Sequence, residues 1–175
     1  YSPTCVLCAR VFECEQLMVP YSKYKDLMER NYVMGESDCF GLLRDFYVNC
    51  YGIKLPNFAR PKHFFDPRIN VYARIAAQPE FQERGLCVTD FKEGDLIAFR
   101  VMGADLVNHM GVYLGNNLFL HQMFDGVPRE ENLDERWLRR IYMVHYHVDV
   151  PVVKKKLDPI DILPDYLKVE NYVEQ

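Results

Sequence analysis

Residues 35–47 read GESDCFGLLRDFY, and the role given to Cys39 within them decides how the rest of the chain is read. Followed on to residue 50, the stretch sets Cys39, Leu42, Leu43, Phe46, Tyr47 and Cys50 at i, i+3, i+4, i+7, i+8 and i+11, which is one apolar stripe on a helix. Ser37 or Asp38 can cap its start, and Gly52 stands just past its end. Cys39 therefore falls in the first turn. There it is either a small apolar residue facing a core, as Cys50 is read, or a thiol made acidic by the positive end of the helix. The second reading needs a base brought close by folding.

Five histidines could supply it: His63, His109, His121, His145 and His147. From Gly94 onward the chain turns to β-branched and aromatic runs, GDLIAFRV (94–101), NHMGVYLG (108–115), NLFLHQM (117–123) and RIYMVHYHV (140–148), which predict strands. GNN at 115–117 is a hairpin turn, and a turn centred there brings His109 and His121 close to opposite each other. A base with an orienting neighbour is what a Cys-His-X site requires. His145 and His147 read as surface or hydrogen-bonded strand residues, although their H-x-H spacing puts both on one face and leaves a metal site open.

Tyr24, Leu27 and Met28 predict a short amphipathic helix over 21–31, and a proline-broken connector over 54–93 holds a helical candidate at about 70–84. Helices first and strands later, without repeated crossovers, predict an α+β fold with an antiparallel sheet. The expected divisions are a cysteine-rich extension (1–20), one domain (21–150) and a tail (151–175). With 175 residues, 49% hydrophobic and 14% aromatic, the chain can bury a substantial core.

A net charge of −4 and scattered bases argue against non-specific nucleic-acid binding, and Lys154–Lys156 read as a solvated linker. The apolar runs fall well short of the ~20 residues that span a bilayer, so neither a membrane segment nor a leader is expected. A chain that starts at Tyr1 is a processed product, an ordered portion of a longer protein, or a fragment. Cys5, Cys8 and Cys14 form a C-x2-C-x5-C cluster open to three readings. These are free thiols in an extension, an iron–sulfur or zinc centre with a further ligand outside this segment, and disulfide pairing.

Taken in order, NYVMGESDCFG, GDLIAF, NHMGVYLG and LFLHQM resemble the NlpC-type cell-wall peptidases, papain-like cysteine hydrolases of peptidoglycan stem peptides. The resemblance implies a papain-like α+β fold in which the helix bearing the nucleophile packs on an antiparallel sheet. It assigns Cys39 as nucleophile, His109 as base, His121 as the third polar residue, Tyr32 as an oxyanion donor and Asp38 as a contact for a substrate amine. Gly41 fits the small residue two positions past the cysteine. Phe40 stands where the family usually has serine, and Met110 where valine is common. Catalysis of this kind needs no cofactor.

Within the family, LFLHQMFDGVPRE and RWLRR look most like the tail-assembly or tail-tip peptidases of long-tailed bacteriophages. That likeness implies a virion tail-tip location, action on the bacterial cell wall, and other tail-tip or hub proteins as partners. A neighbouring tail-tip family ends in a cysteine-rich iron–sulfur domain, which is the precedent for a metal at Cys5, Cys8 and Cys14. Two rival readings stand beside this one: a catalytically silent tail-hub protein that keeps the fold, and a metalloprotein organised by His145, His147 and the N-terminal cysteines.

Overall fold

Helix α1 spans Cys39–Tyr51 and buries one face, with Phe40, Leu42, Leu43, Phe46 and Tyr47 almost inaccessible to solvent. This computed structural model describes residues 19–60 and 70–151; Cys5, Cys8, Cys14, His63 and Lys154–Lys156 lie outside the described residues. Of the two capping candidates, Asp38 is the one used: its Oδ1 accepts from the Gly41 amide at 2.8 Å. At the other end Gly52 turns left-handed (φ 71°) and its N–H closes on the Tyr47 and Val48 carbonyls.

The helix lies on a six-stranded antiparallel sheet in the order β1-β6-β2-β3-β4-β5. The strands are β1 (Phe81–Glu83), β2 (Leu96–Phe99), β3 (His109–Gly115), β4 (Leu118–Gln122), β5 (Pro128–Asn132) and β6 (Ile141–His147). Alternation divides the core in two. Leu96, Ala98, Met110, Val112, Leu114 and Leu120 pack toward α1. Ile97, Phe99, Tyr113, Phe119 and Val144 pack on the opposite face with Trp137, which comes from the one-turn helix α3 (Glu135–Leu138). This is the α+β arrangement expected from the sequence, with the cysteine helix on the sheet.

Several local expectations are corrected. The helix predicted over 21–31 is two separate 3-10 turns, Tyr21–Lys23 and Lys25–Leu27. A segment this short cannot sustain helix nucleation alone, and Tyr24 instead buries itself against Phe46 and donates to Glu130 at 2.7 Å. The candidate at 70–84 divides into α2 (Val71–Ala76), capped by Asn70, and strand β1 after Pro79. Strand β5 went unpredicted as such. His145 and His147 are both buried rather than at the surface, edge-on to Tyr72 and Phe81 respectively, and His147 Nδ1 accepts from the Asp149 N–H at 3.2 Å, so the hydrogen-bonded reading holds for His147. Among the described residues, no helix is long and apolar enough to cross a membrane.

Candidate active site

Cys39 begins α1, and the loop that delivers it is held unusually tightly. Asp38, 2% exposed, accepts from Gly41 N–H through one oxygen and from Gly35 N–H (2.9 Å) and Arg60 Nε through the other. Arg60 also donates to the Gly35 carbonyl, to Asn57 Oδ1 and to the Phe58 carbonyl, so one guanidinium ties this loop to residues 57–60. At Gly41 a Cβ would stand 1.9 Å from the Glu36 carbonyl oxygen, which is why a residue without a side chain is required there. Sequence reasoning named Asp38 as a substrate contact; here its described lone pairs serve the loop itself.

A cleft opens at this end of α1. Tyr32, Asp38, Cys39 and Phe40 border it on one side, and the chain from Val107 to Met110 on another. Phe40, the departure from the family's serine, stacks at 6.0 Å on Phe58 with the Arg60 guanidinium 5.2 Å from its ring. An aromatic wall thus replaces a hydroxyl. Tyr32 packs edge-to-face on Phe124 at 5.3 Å, and burial raises its hydroxyl above the ordinary tyrosine range, with the neighbouring Cys39 and Asp38 adding to it.

The approach to His109 is fixed by Asn108, whose side chain pairs with both the N–H and the carbonyl of Val101. The hairpin then turns through Asn116 and Asn117, both at positive φ (48° and 62°), the geometry of a two-residue primed turn. The register is that of a turn centred at residue 116: His121 faces Gly111, so His109 and His121 lie two residues from directly opposite, as diagonal neighbours on one face. Their rings still meet, His109 Nε2 lying 3.0 Å from His121 Nδ1. Gly111 supplies the clearance, since a Cβ there would stand 2.9 Å from the Leu120 carbonyl oxygen and 3.3 Å from the His121 Cβ.

Electrostatically the pair is neutral at rest. Burial pushes the Cys39 thiol up to about 12, with Asp38 adding to the rise, while the backbone N–H groups of Met110 and Phe40 pull the other way. Burial likewise pushes His109 down to about 3, and the His121 ring acts in the same direction. The thiol expected to be acidified by its helix position is therefore held protonated, because desolvation in the interior outweighs the helix end. Among the described residues no hydrogen bond joins the Cys39 sulfur to His109; unliganded catalytic pairs commonly stand apart and tighten on substrate.

The sequence reading missed Glu131. It lies on β5, the charged edge strand PREEN, with Oε1 3.3 Å from His121 Nε2 and Oε2 accepting from Trp137 Nε1 at 2.8 Å. Strand periodicity could not have found it, because β5 lacks an apolar alternation. Cys50, read as a core residue, is buried on α1. Among the described residues, no group of three His, Cys, Asp or Glu side chains is arranged to hold a metal.

Known proteins resemble this chain in sequence and in fold. Tail tip assembly protein K of Escherichia phage N15 is 29% identical over 126 residues, covering 71% of this chain and 50% of its own length. The probable endopeptidase NlpC homolog of Haemophilus influenzae is 28% identical over 126 residues, covering 69% and 57%. The chain thus spans little more than half the length of these curated relatives. An NLP/P60 family lipoprotein-like structure from Staphylococcus aureus shares the fold, with a TM-score of 0.52 at 22% identity, over 74% of this chain and 40% of that one. The model of the NlpC/P60 family matches residues 29–146, a span that takes in Tyr32, Cys39, His109 and His121, and the chain belongs to that family.

Proposed function

We propose that this protein is a cysteine peptidase that cleaves an amide bond in peptidoglycan stem peptides, and that it works in a bacteriophage tail tip as the tail crosses the cell wall. The observation carrying this reading is the convergence, on one cleft, of a thiol at a helix start and a histidine whose Nε2 is held at 3.0 Å by a second histidine. Relatives named as tail tip assembly proteins and as an endopeptidase support the two halves of the proposal.

With Nε2 of His109 engaged, Nδ1 is the nitrogen left to take the thiol proton. Burial disfavours either charge alone, so the proton moves from sulfur to imidazole as the sulfur attacks the carbonyl. The tetrahedral oxyanion is met by the Tyr32 hydroxyl and the Cys39 backbone N–H, each good donor contributing roughly 2.7–4 kcal/mol. His109 then returns the proton to the leaving amine, and water drawn through the same base releases the acyl group from its thioester. His121 orients the His109 ring. Asp38 serves substrate binding through the shape of the loop it holds, and any direct contact with a substrate amine competes with Arg60.

The test is digestion of purified peptidoglycan, with released peptides identified by mass spectrometry. Wild-type protein should release stem-peptide fragments and Cys39→Ala none, with unchanged circular dichroism. Equal release by both would remove Cys39 as nucleophile. No release by the wild type would favour a silent tail-hub protein.

A further inference from the structure

We propose that Glu131 sets the tautomer of both histidines and thereby makes His109 Nδ1 a base; the idea rests on the reading of Cys39, His109 and His121 as the reacting set. His109, His121 and Glu131 descend as successive diagonal neighbours across β3, β4 and β5, all on the sheet face that carries Phe119. His121 is 1% exposed, and its Nε2 has no hydrogen-bond partner among the described residues; Glu131 Oε1, at 3.3 Å, is the carboxylate that faces it. A carboxylate can only accept. The proton of His121 therefore belongs on Nε2, its Nδ1 must be the acceptor in the 3.0 Å contact, and His109 must carry its own proton on Nε2. That leaves Nδ1 of His109 with a free lone pair.

The carboxylate is itself held. Trp137 Nε1, which can only donate, fixes Oε2 at 2.8 Å, and the Trp137 ring stands edge-on to His121 at 4.9 Å. Arg136, mostly exposed and 3.9 Å from Oε2, is too distant to fix it. The same indole predicts what an isosteric amide would do. In Glu131→Gln the side-chain oxygen must stay on Trp137, so the NH2 turns toward His121 Nε2. His121 then carries its proton on Nδ1 and donates to His109 Nε2, and the His109 proton moves to Nδ1. The base is occupied by the wrong proton. Glu131 touches neither the thiol nor a substrate, so it is a positioning residue.

Long-range proton–nitrogen NMR of the imidazoles reads this directly in the whole chain. In the wild type, His109 Nδ1 and His121 Nδ1 should show the shift of an unprotonated nitrogen; in Glu131→Gln both should show protonated Nδ1. On the proposed substrate, kcat should fall about 10- to 100-fold with KM little changed, in the range for a group that orients a working side chain. Adding Trp137→Phe to Glu131→Gln frees the amide to rotate and should restore the wild-type tautomers. Identical tautomers in wild type and Glu131→Gln, or a wild-type His109 protonated on Nδ1, would overturn the proposal. The NMR result stands whether or not peptidoglycan is the substrate.

Discussion

Replacing Asp38 with asparagine asks whether that carboxylate serves the fold or only a ligand. The side chain accepts from three donors, Gly35 N–H, Gly41 N–H and Arg60 Nε, and an amide has one acceptor oxygen. With its oxygen on Gly41 the asparagine keeps the helix cap but turns its NH2 against Gly35 N–H and Arg60. Turned the other way it loses the cap, a change that costs about 1 kcal/mol. In the first orientation Arg60, whose side chain is 5% exposed, is left as a buried cation without its partner. Breaking a buried pair from one side costs about 3–5 kcal/mol, so that term dominates. For a domain of this size a loss of that order lowers Tm by roughly 10 °C. Urea unfolding followed by far-UV circular dichroism measures it, and Arg60→Leu with the double variant completes a cycle whose coupling energy should recover most of the loss. A destabilisation under about 1 kcal/mol, accompanied by a raised KM, would refute the structural role and return Asp38 to the substrate.

Two further outcomes follow from burial of the ionisable groups. Iodoacetamide at neutral pH should alkylate exposed Cys87 ahead of Cys39 and Cys50, both of whose thiols burial pushes up to about 12; fast labelling of Cys39 would show a resting thiolate. His109, held neutral down to about pH 3, binds no proton in the folded chain where the unfolded chain does, from about pH 6.5 downward. Its contribution therefore makes stability rise with pH across that window, with a slope of up to about 1.4 kcal/mol per pH unit. The Asp95 and Glu93 carboxyls, raised by burial, act in the opposite sense lower in the range, so the measurement is a difference. Between pH 7 and 4 the wild type should lose more Tm than His109→Asn, and parallel curves would contradict the assignment.

Helix α1 was legible because three independent signals agree there: an apolar stripe, a cap and a terminal glycine. Strands β2, β3, β4 and β6 were legible because they are interior to the sheet and carry the apolar and β-branched side chains that interior strands need. The edges were not. β1 has three residues, and β5 is polar along most of its length because an outer strand faces water, so neither offers a periodic pattern. Glu131 was hidden for the same reason. The diagonal placement of His109 and His121 follows from the turn that GNN announces; the one-residue irregularity between Tyr113 and Gly115, which keeps both rings on one face, is not announced by side-chain type. Cys39 was identified by motif rather than by chemistry; its position at a helix start pointed to an acidic thiol, and only the folded surroundings reverse that direction.

Both imidazoles ride on a single hairpin whose loop is Asn116 and Asn117. That loop is consequently a ruler for the chemistry. One residue added to it slips β4 by a step, and a step in a strand carries His121 through the sheet to the side of α1. The connector between α1 and β2 is under no such constraint: it can lengthen, shorten or acquire an insertion without altering how far one ring stands from the other. Variation among related chains is thus free to shape the cleft's outer wall while the spacing of its two histidines stays fixed to the residue.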